Sequence, residues 1–411
     1  MSENESHDAL KAKSDRRSFL GNFFKAAAGA VTLTTPFRPG TENTVAAVEK
    51  EERIGNWGEI ANPGHEGDMT RGIFFFAGPP NPNSPYPQLD TVVDWDSDQN
   101  IEKIFDEVKG ANVNVINLSW WGDDGETEKW GPTINTSEIN KRVFKEASDR
   151  DMMVAPVIEV SNDFKFYRDF PDDTQGFEER IESLIESYGD NANWLQMFDK
   201  NKEKRHFIRL VETIHEKPID PQKFAEAFDA VSDRIYQKTG KKVIFGIDPT
   251  PLPPGGPEYG PDEKELSKLN SVVISPYNIF SKGGSEDERI KEADQILKHW
   301  TDSGIPVILP LITGFDDTGT DRPVTQKFGN SELWRSKISG LYQKYSDKVK
   351  GVSFDSWNTL TEGGADAPTV EFGNVNYRFM QDVLNSPSLN PNRILKLIKR
   401  GVVPSVASDG N

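Results

Sequence analysis

The sequence predicts an α/β protein built as a single (β/α)8 TIM barrel. Three observations carry that expectation: eight short β-type runs, amphipathic helical stretches between them, and reactive side chains gathered where the runs end. The runs are residues 72–76, 113–118, 153–158, 207–211, 242–247, 271–275, 306–312 and 349–354. Each is an apolar segment of strand length, as expected of parallel strands covered on both faces.

The first run, from Gly72, ends in the Pro- and Asn-rich loop that begins at Ala77. Ile101, Ile104, Phe105 and Val108 then recur at helical spacing, and Ile139, Val143, Phe144 and Ala147 do so after the second run. Ile181, Leu184 and Ile185 follow the third run, Phe224, Phe228, Val231 and Ile235 the fourth, and Ile290, Ala293, Ile296, Leu297 and Trp300 the sixth. A doubly wound open sheet is the alternative, but no Gly-rich phosphate loop follows the first run. The stretches 170–176, 250–261 and 282–288 read as long loops shaping a cleft.

Composition narrows the function. The 411 residues carry a formal charge of −18, which opposes binding to nucleic acid or anionic membrane and favours a neutral or cationic partner. Cysteine is absent, which removes disulfides, thiolate metal sites and a cysteine nucleophile together. Five His and no His-Glu-x-x-His pattern argue against a transition-metal centre, so no metal or cofactor is expected. Neither a Gly-x-Ser-x-Gly elbow nor a Walker-type loop is present.

Arg16-Arg17 followed by Phe19 and Leu20, then a weak apolar run containing Lys25, resembles a twin-arginine export signal. That run falls short of the ~20 residues a spanning helix needs. Residues 1–47 are therefore expected to be the signal and a flexible N-terminal segment, 48–400 the barrel and 401–411 a flexible tail. The mature protein would be extracellular, at the cell surface or periplasmic, without integral membrane contact.

Active sites of this fold lie at the C-terminal ends of the strands. Here the ends present Trp120 and Trp121, Glu159, Glu212, Asp248, Tyr277, Asp316 and Asp317, and finally Asp355, Trp357, Asn358 and Glu362. A ring of carboxylates and aromatics suits a polyhydroxylated neutral ligand, because sugars stack on aromatic rings and glycosidic bonds are cleaved by paired carboxyl groups. Glu362, Glu159 and Asp355 are the candidate catalytic acids. Trp120, Trp121, Glu212, Tyr277, Asp316, Asp317, Trp357 and Asn358 are candidates for holding substrate, a polysaccharide or glycan. Trp120 and Trp121 cannot face the same way on a strand, so one can stack a sugar while the other packs in the core.

These residues also carry a family likeness. Ser119-Trp120-Trp121-Gly122, Gly314-Phe315-Asp316-Asp317-Thr318 with Arg322-Pro323, and Ser356-Trp357-Asn358 followed by Glu362-Gly363 resemble glycoside hydrolase family 99, as does Pro368-Thr369-Val370-Glu371-Phe372-Gly373 with Tyr377. The resemblance implies a barrel hydrolase acting inside mannose-containing glycans. It places Glu362 as the acid that protonates the leaving oxygen, and Glu159 as a sugar-contacting carboxylate. The family's other catalytic glutamate, the base that draws the sugar's 2-hydroxyl into attack, falls on Thr359, which cannot act as a base at neutral pH. Either another carboxylate such as Glu159 or Asp355 serves, or the chemistry differs, or the protein binds glycans without cleaving them.

Overall fold

In the computed structural model the described residues are 56–75, 98–120, 136–160, 167, 169–211, 213, 220–249, 262–277, 279–280, 284–316, 327–357, 366 and 374–385. In chain order they form β1 (Thr70–Phe75), α1 (Asp98–Gly110), β2 (Val115–Ser119), α2 (Thr136–Asp149), β3 (Met153–Glu159), α3 (Gln175–Tyr188), β4 (Gln196–Phe198) and β5 (Lys204–Val211). These are followed by α4 (Pro221–Thr239), β6 (Val243–Ile247), α5 (Glu263–Leu266), β7 (Val272–Ile274), α6 (Glu286–Asp302), β8 (Ile308–Leu311), β9 (Gly314–Asp316), β10 (Lys327–Gly329), α7 (Glu332–Tyr345), β11 (Gly351–Phe354) and α8 (Val375–Leu384).

The sheet runs β7-β6-β5-β3-β2-β1-β11-β8, parallel throughout. It closes where Ile274 bridges Val307 in parallel and the Ile274 amide donates to Pro306 at 2.8 Å. The (β/α)8 barrel read from the sequence is therefore the fold. Each of its eight strands overlaps one of the apolar runs. The run at 306–312 is shorter as a strand than as a pattern, because after Leu311 the chain turns into β9, which pairs antiparallel with β10. β4 forms a second antiparallel appendage, on β5.

Apolar burial sorts into three groups. The largest fills the layer between strands and helices, for example Ile73, Ile116, Leu210, Phe245, Leu309 and Phe354. Val115, Met153, Phe207, Ile244 and Ile308 fill the bore towards the strand starts, joined by Ile60. Ile60 arrives on residues 56–69, which pair with β4 through Gly58 to Phe198 and Ala61 to Gln196, both 2.8 Å. Phe74, Val157 and Val211 with Tyr277 fill the bore towards the strand ends. Fully burying one such side chain stabilises by about 1.5–3 kcal/mol, so the barrel is held chiefly by these layers.

Helix ends follow their sequence signals. Asp220 caps α4 by accepting from the Gln222 and Lys223 amides, Pro221 occupies its first turn, and Gly240 ends it at φ 70°. Ser285 and Glu288 form a reciprocal capping box at the start of α6. No helix among the described residues is long and apolar enough to cross a membrane.

Candidate active site

Between the two apolar groups in the bore lies a polar layer. Arg209, from the middle of β5, is 1% exposed. Its Nη1 donates to Ser353 Oγ of β11 at 2.9 Å and its Nη2 to the Pro276 carbonyl at 2.8 Å. The Asn117 amide of β2 donates to the same Ser353 oxygen at 3.1 Å. Gly72 makes room for that amide, since a Cβ there would lie 2.6 Å from Asn117 Nδ2.

Immediately above, where β11 ends, Asp355 turns its carboxyl group into the bore. Its Oδ1 stands 3.7 Å from Arg209 Nη1, an ion-pair separation too long for a hydrogen bond. Among the described residues, no group donates a hydrogen bond to either Asp355 oxygen. Burial, opposed by the Arg209 guanidinium and reinforced by the negative charge of Asp248, pushes the Asp355 carboxyl up to about 8. Asp366, fully buried, is held well above the usual carboxylate range, first by burial and further by Asp355, although Thr313 Oγ1 donates to it at 2.6 Å. The Asp366 amide in turn donates to Ser356 at 2.8 Å.

Other polar atoms at the strand ends are buried and have no hydrogen-bond partner among the described residues: Ser119 Oγ of β2, Ser275 Oγ beyond β7 and Trp357 Nε1 beyond β11. Tyr277 covers the polar layer, with the Arg209 guanidinium carbon 5.7 Å from its ring centre and Phe74 at 5.3 Å. The C-terminal end of the barrel thus holds a cation, two carboxyl groups shifted upward by burial, and donors and acceptors without partners among the described residues. Such perturbed, poorly satisfied groups in a barrel mouth mark a site for chemistry.

The barrel is similar in fold to solved glycoside hydrolases. A family 99 endo-α-mannosidase from Bacteroides thetaiotaomicron, in complex with BIS-TRIS-propane, matches with TM-score 0.54 at 14% identity, over 80% of this chain and 99% of that one. A second structure of a family 99 endo-α-mannosidase from that organism gives 0.54 at 14% identity, over 78% and 98%. A glycoside hydrolase-like protein gives 0.52 at 11% identity, over 78% and 94%. No family model and no curated protein matches the chain. The structural likeness agrees with the motif resemblance and, at these identities, concerns the fold.

Of the candidates read from sequence, the structure brings Asp355 and Tyr277 together around Arg209. Trp120 packs in the core, 2% exposed, with the Arg180 guanidinium 4.4 Å from its ring. Trp357 is also buried in the strand–helix layer, its ring centre 6.1 Å from that of Tyr377 on α8. Asp316 lies on β9 and pairs with Lys327 Nζ at 2.6 Å. Glu159 is the last residue of β3, in register with Val211 of β5, and its side chain falls outside the described set, as do Trp121, Glu212, Asp317, Asn358, Thr359, Glu362 and the export signal.

Sequence reasoning missed Arg209, Ser353, Asp366 and Thr313. Arg209 was detectable as a lone charge inside the apolar run 207–211. Asp366 was not, because it meets Thr313 only once the barrel closes.

Proposed function

We propose that the protein hydrolyses glycosidic bonds within a polysaccharide or glycan of the α-mannan type, with Asp355 as base and Glu362 as acid. The observation that carries the reading is the Asp355 carboxyl group. It is buried at the barrel mouth, takes no hydrogen bond from the described residues and lies 3.7 Å from a guanidinium. A base works best when its pKa lies near the working pH, and a value of about 8 meets that condition where Thr359 does not.

The ionised Asp355 takes a proton from a water molecule as the water oxygen bonds to the anomeric carbon and the bond from that carbon to the glycosidic oxygen breaks. Glu362 delivers its proton to the departing glycosidic oxygen. Negative charge on Asp355 also disfavours ionisation of nearby carboxyls, which helps an acid keep its proton. Tyr277, whose ring lies over Arg209, is assigned as a sugar-contacting aromatic. The fold likeness to endo-α-mannosidase supports the substrate class. The twin-arginine-like sequence at Arg16-Arg17 supports an activity outside the cytoplasm, on glycans of the surroundings or cell surface.

Thr359 favours a second reading, a non-catalytic glycan-binding protein on the same barrel. Incubating the purified protein with α-mannan and a polysaccharide panel separates the two. New reducing ends are expected from the wild type, with Asp355→Asn and Glu362→Gln each lowering the rate about 10²–10⁴-fold. Binding without new reducing ends, unchanged in both variants, supports the second reading and refutes the first.

A further inference from the structure

We propose that Arg209 is a positioning residue, which fixes the carboxyl group of Asp355 at the barrel mouth and keeps its ionised form accessible. The inference rests on the reading of Asp355 as base only for its consequence in catalysis; the geometry stands apart from it. Arg209 is anchored before it meets Asp355, since Nη1 is spent on Ser353 and Nη2 on the Pro276 carbonyl. Ser353 is itself held from the other side by Asn117. Three strands thereby fix one guanidinium, and the side of Nη1 faces Asp355 Oδ1 at 3.7 Å.

A fully hydrogen-bonded pair would hold Asp355 ionised and make it a weak base. An isolated buried carboxyl would never ionise near neutrality. A cation held close, but too far to donate, leaves the acid between those limits. Among the described residues, the other charged or titratable groups facing Asp355 are Asp248 beyond β6 and Asp366 beyond β11. Tyr277 beyond β7 lies over Arg209. The charge of Asp248 opposes ionisation of Asp355, so Arg209 is the one described group that favours it.

The test labels the full chain with aspartate carrying ¹³C at the side-chain carboxyl and follows Asp355 through a pH titration. Its resonance is assigned by its loss in Asp355→Asn. In Arg209→Met the Asp355 midpoint is expected to rise by about 1–3 pH units, the range for losing a neighbouring opposite charge. Arg209→Lys, which keeps the charge, returns the midpoint towards wild type. Ser353→Ala retains both charges and removes only the anchor of Nη1, so it moves the midpoint upward by less. It supplies the answer if Arg209→Met does not fold.

A midpoint unmoved or lowered in Arg209→Met, or in Ser353→Ala where the former cannot be measured, overturns the inference. Where the wild type releases sugar, the rising limb of its pH–rate profile shifts with the carboxyl midpoint, which a merely structural role would not cause. Where it releases none, the proposed activity fails and the carboxyl titration still decides the role of Arg209.

Discussion

Replacing Asp355 by Asn should make the protein progressively more stable, relative to wild type, as pH rises. An ordinary aspartate ionises near 3.8, whereas burial moves Asp355 to about 8. Between those values the folded chain keeps a proton that the unfolded chain has lost. Stability therefore falls with rising pH across the window, in the opposite sense to a salt-bridged aspartate. Each pH unit inside the window is worth about 1.4 kcal/mol. Between pH 5 and pH 7 the difference between Asp355→Asn and wild type should therefore grow by about 2–3 kcal/mol. The amide brings its own fixed offset through its contact with Arg209, which cancels when only the change with pH is used. Urea unfolding of both proteins at several pH values, at matched ionic strength, gives the quantity directly. A difference that stays flat with pH would refute the placement of Asp355 as a buried, proton-holding acid.

Two further expectations concern the frame. Asp199 is fully buried, accepts from Arg205 Nε at 2.6 Å and takes the Asn201 and Glu203 amides at 2.8 Å, so Asp199→Ala removes these bonds and leaves the buried Arg205 with the half-exposed Glu203 carboxylate at 3.5 Å. A loss of about 3–5 kcal/mol in urea unfolding is expected, and a change below ~1 kcal/mol would contradict it. His65 sits 3.7 Å from Asp68 and 3.0 Å from Asp151, and the Asp68 carboxylate leads in raising its pKa, followed by Asp151. The stability this lends is complete below the usual histidine value of 6.5 and is lost as pH rises through the higher folded value. Asp151→Asn should therefore lower the His65 midpoint in a proton NMR titration; an unchanged midpoint would show that the pair does not form.

The barrel was legible because its strands are largely buried on both faces and so read as mainly apolar runs. β4, β9 and β10 were not, since three residues carry no period. The helix α7 was present in the spacing of Trp334, Ile338, Leu341 and Tyr345 and was simply not read. At the site, strand ends located Asp355 and Tyr277, but composition could not say which aromatics face the mouth. Trp120 and Trp357 pack in the strand–helix layer instead, because an indole at a strand end gains more from burial against helices than from exposure. The polar layer of Asn117, Arg209 and Ser353 arises from three strands far apart in sequence, and only closure of the barrel brings them together.

The central claim, that Asp355 acts as base in a glycan hydrolase, is tested most directly by the pH dependence of kcat/KM on the polysaccharide the protein cleaves fastest. The rate should climb to a limb with a midpoint near the Asp355 value of about 8, and the limb should vanish in Asp355→Asn. A rate that falls through that range, or an Asp355→Asn protein as active as wild type, would contradict the account.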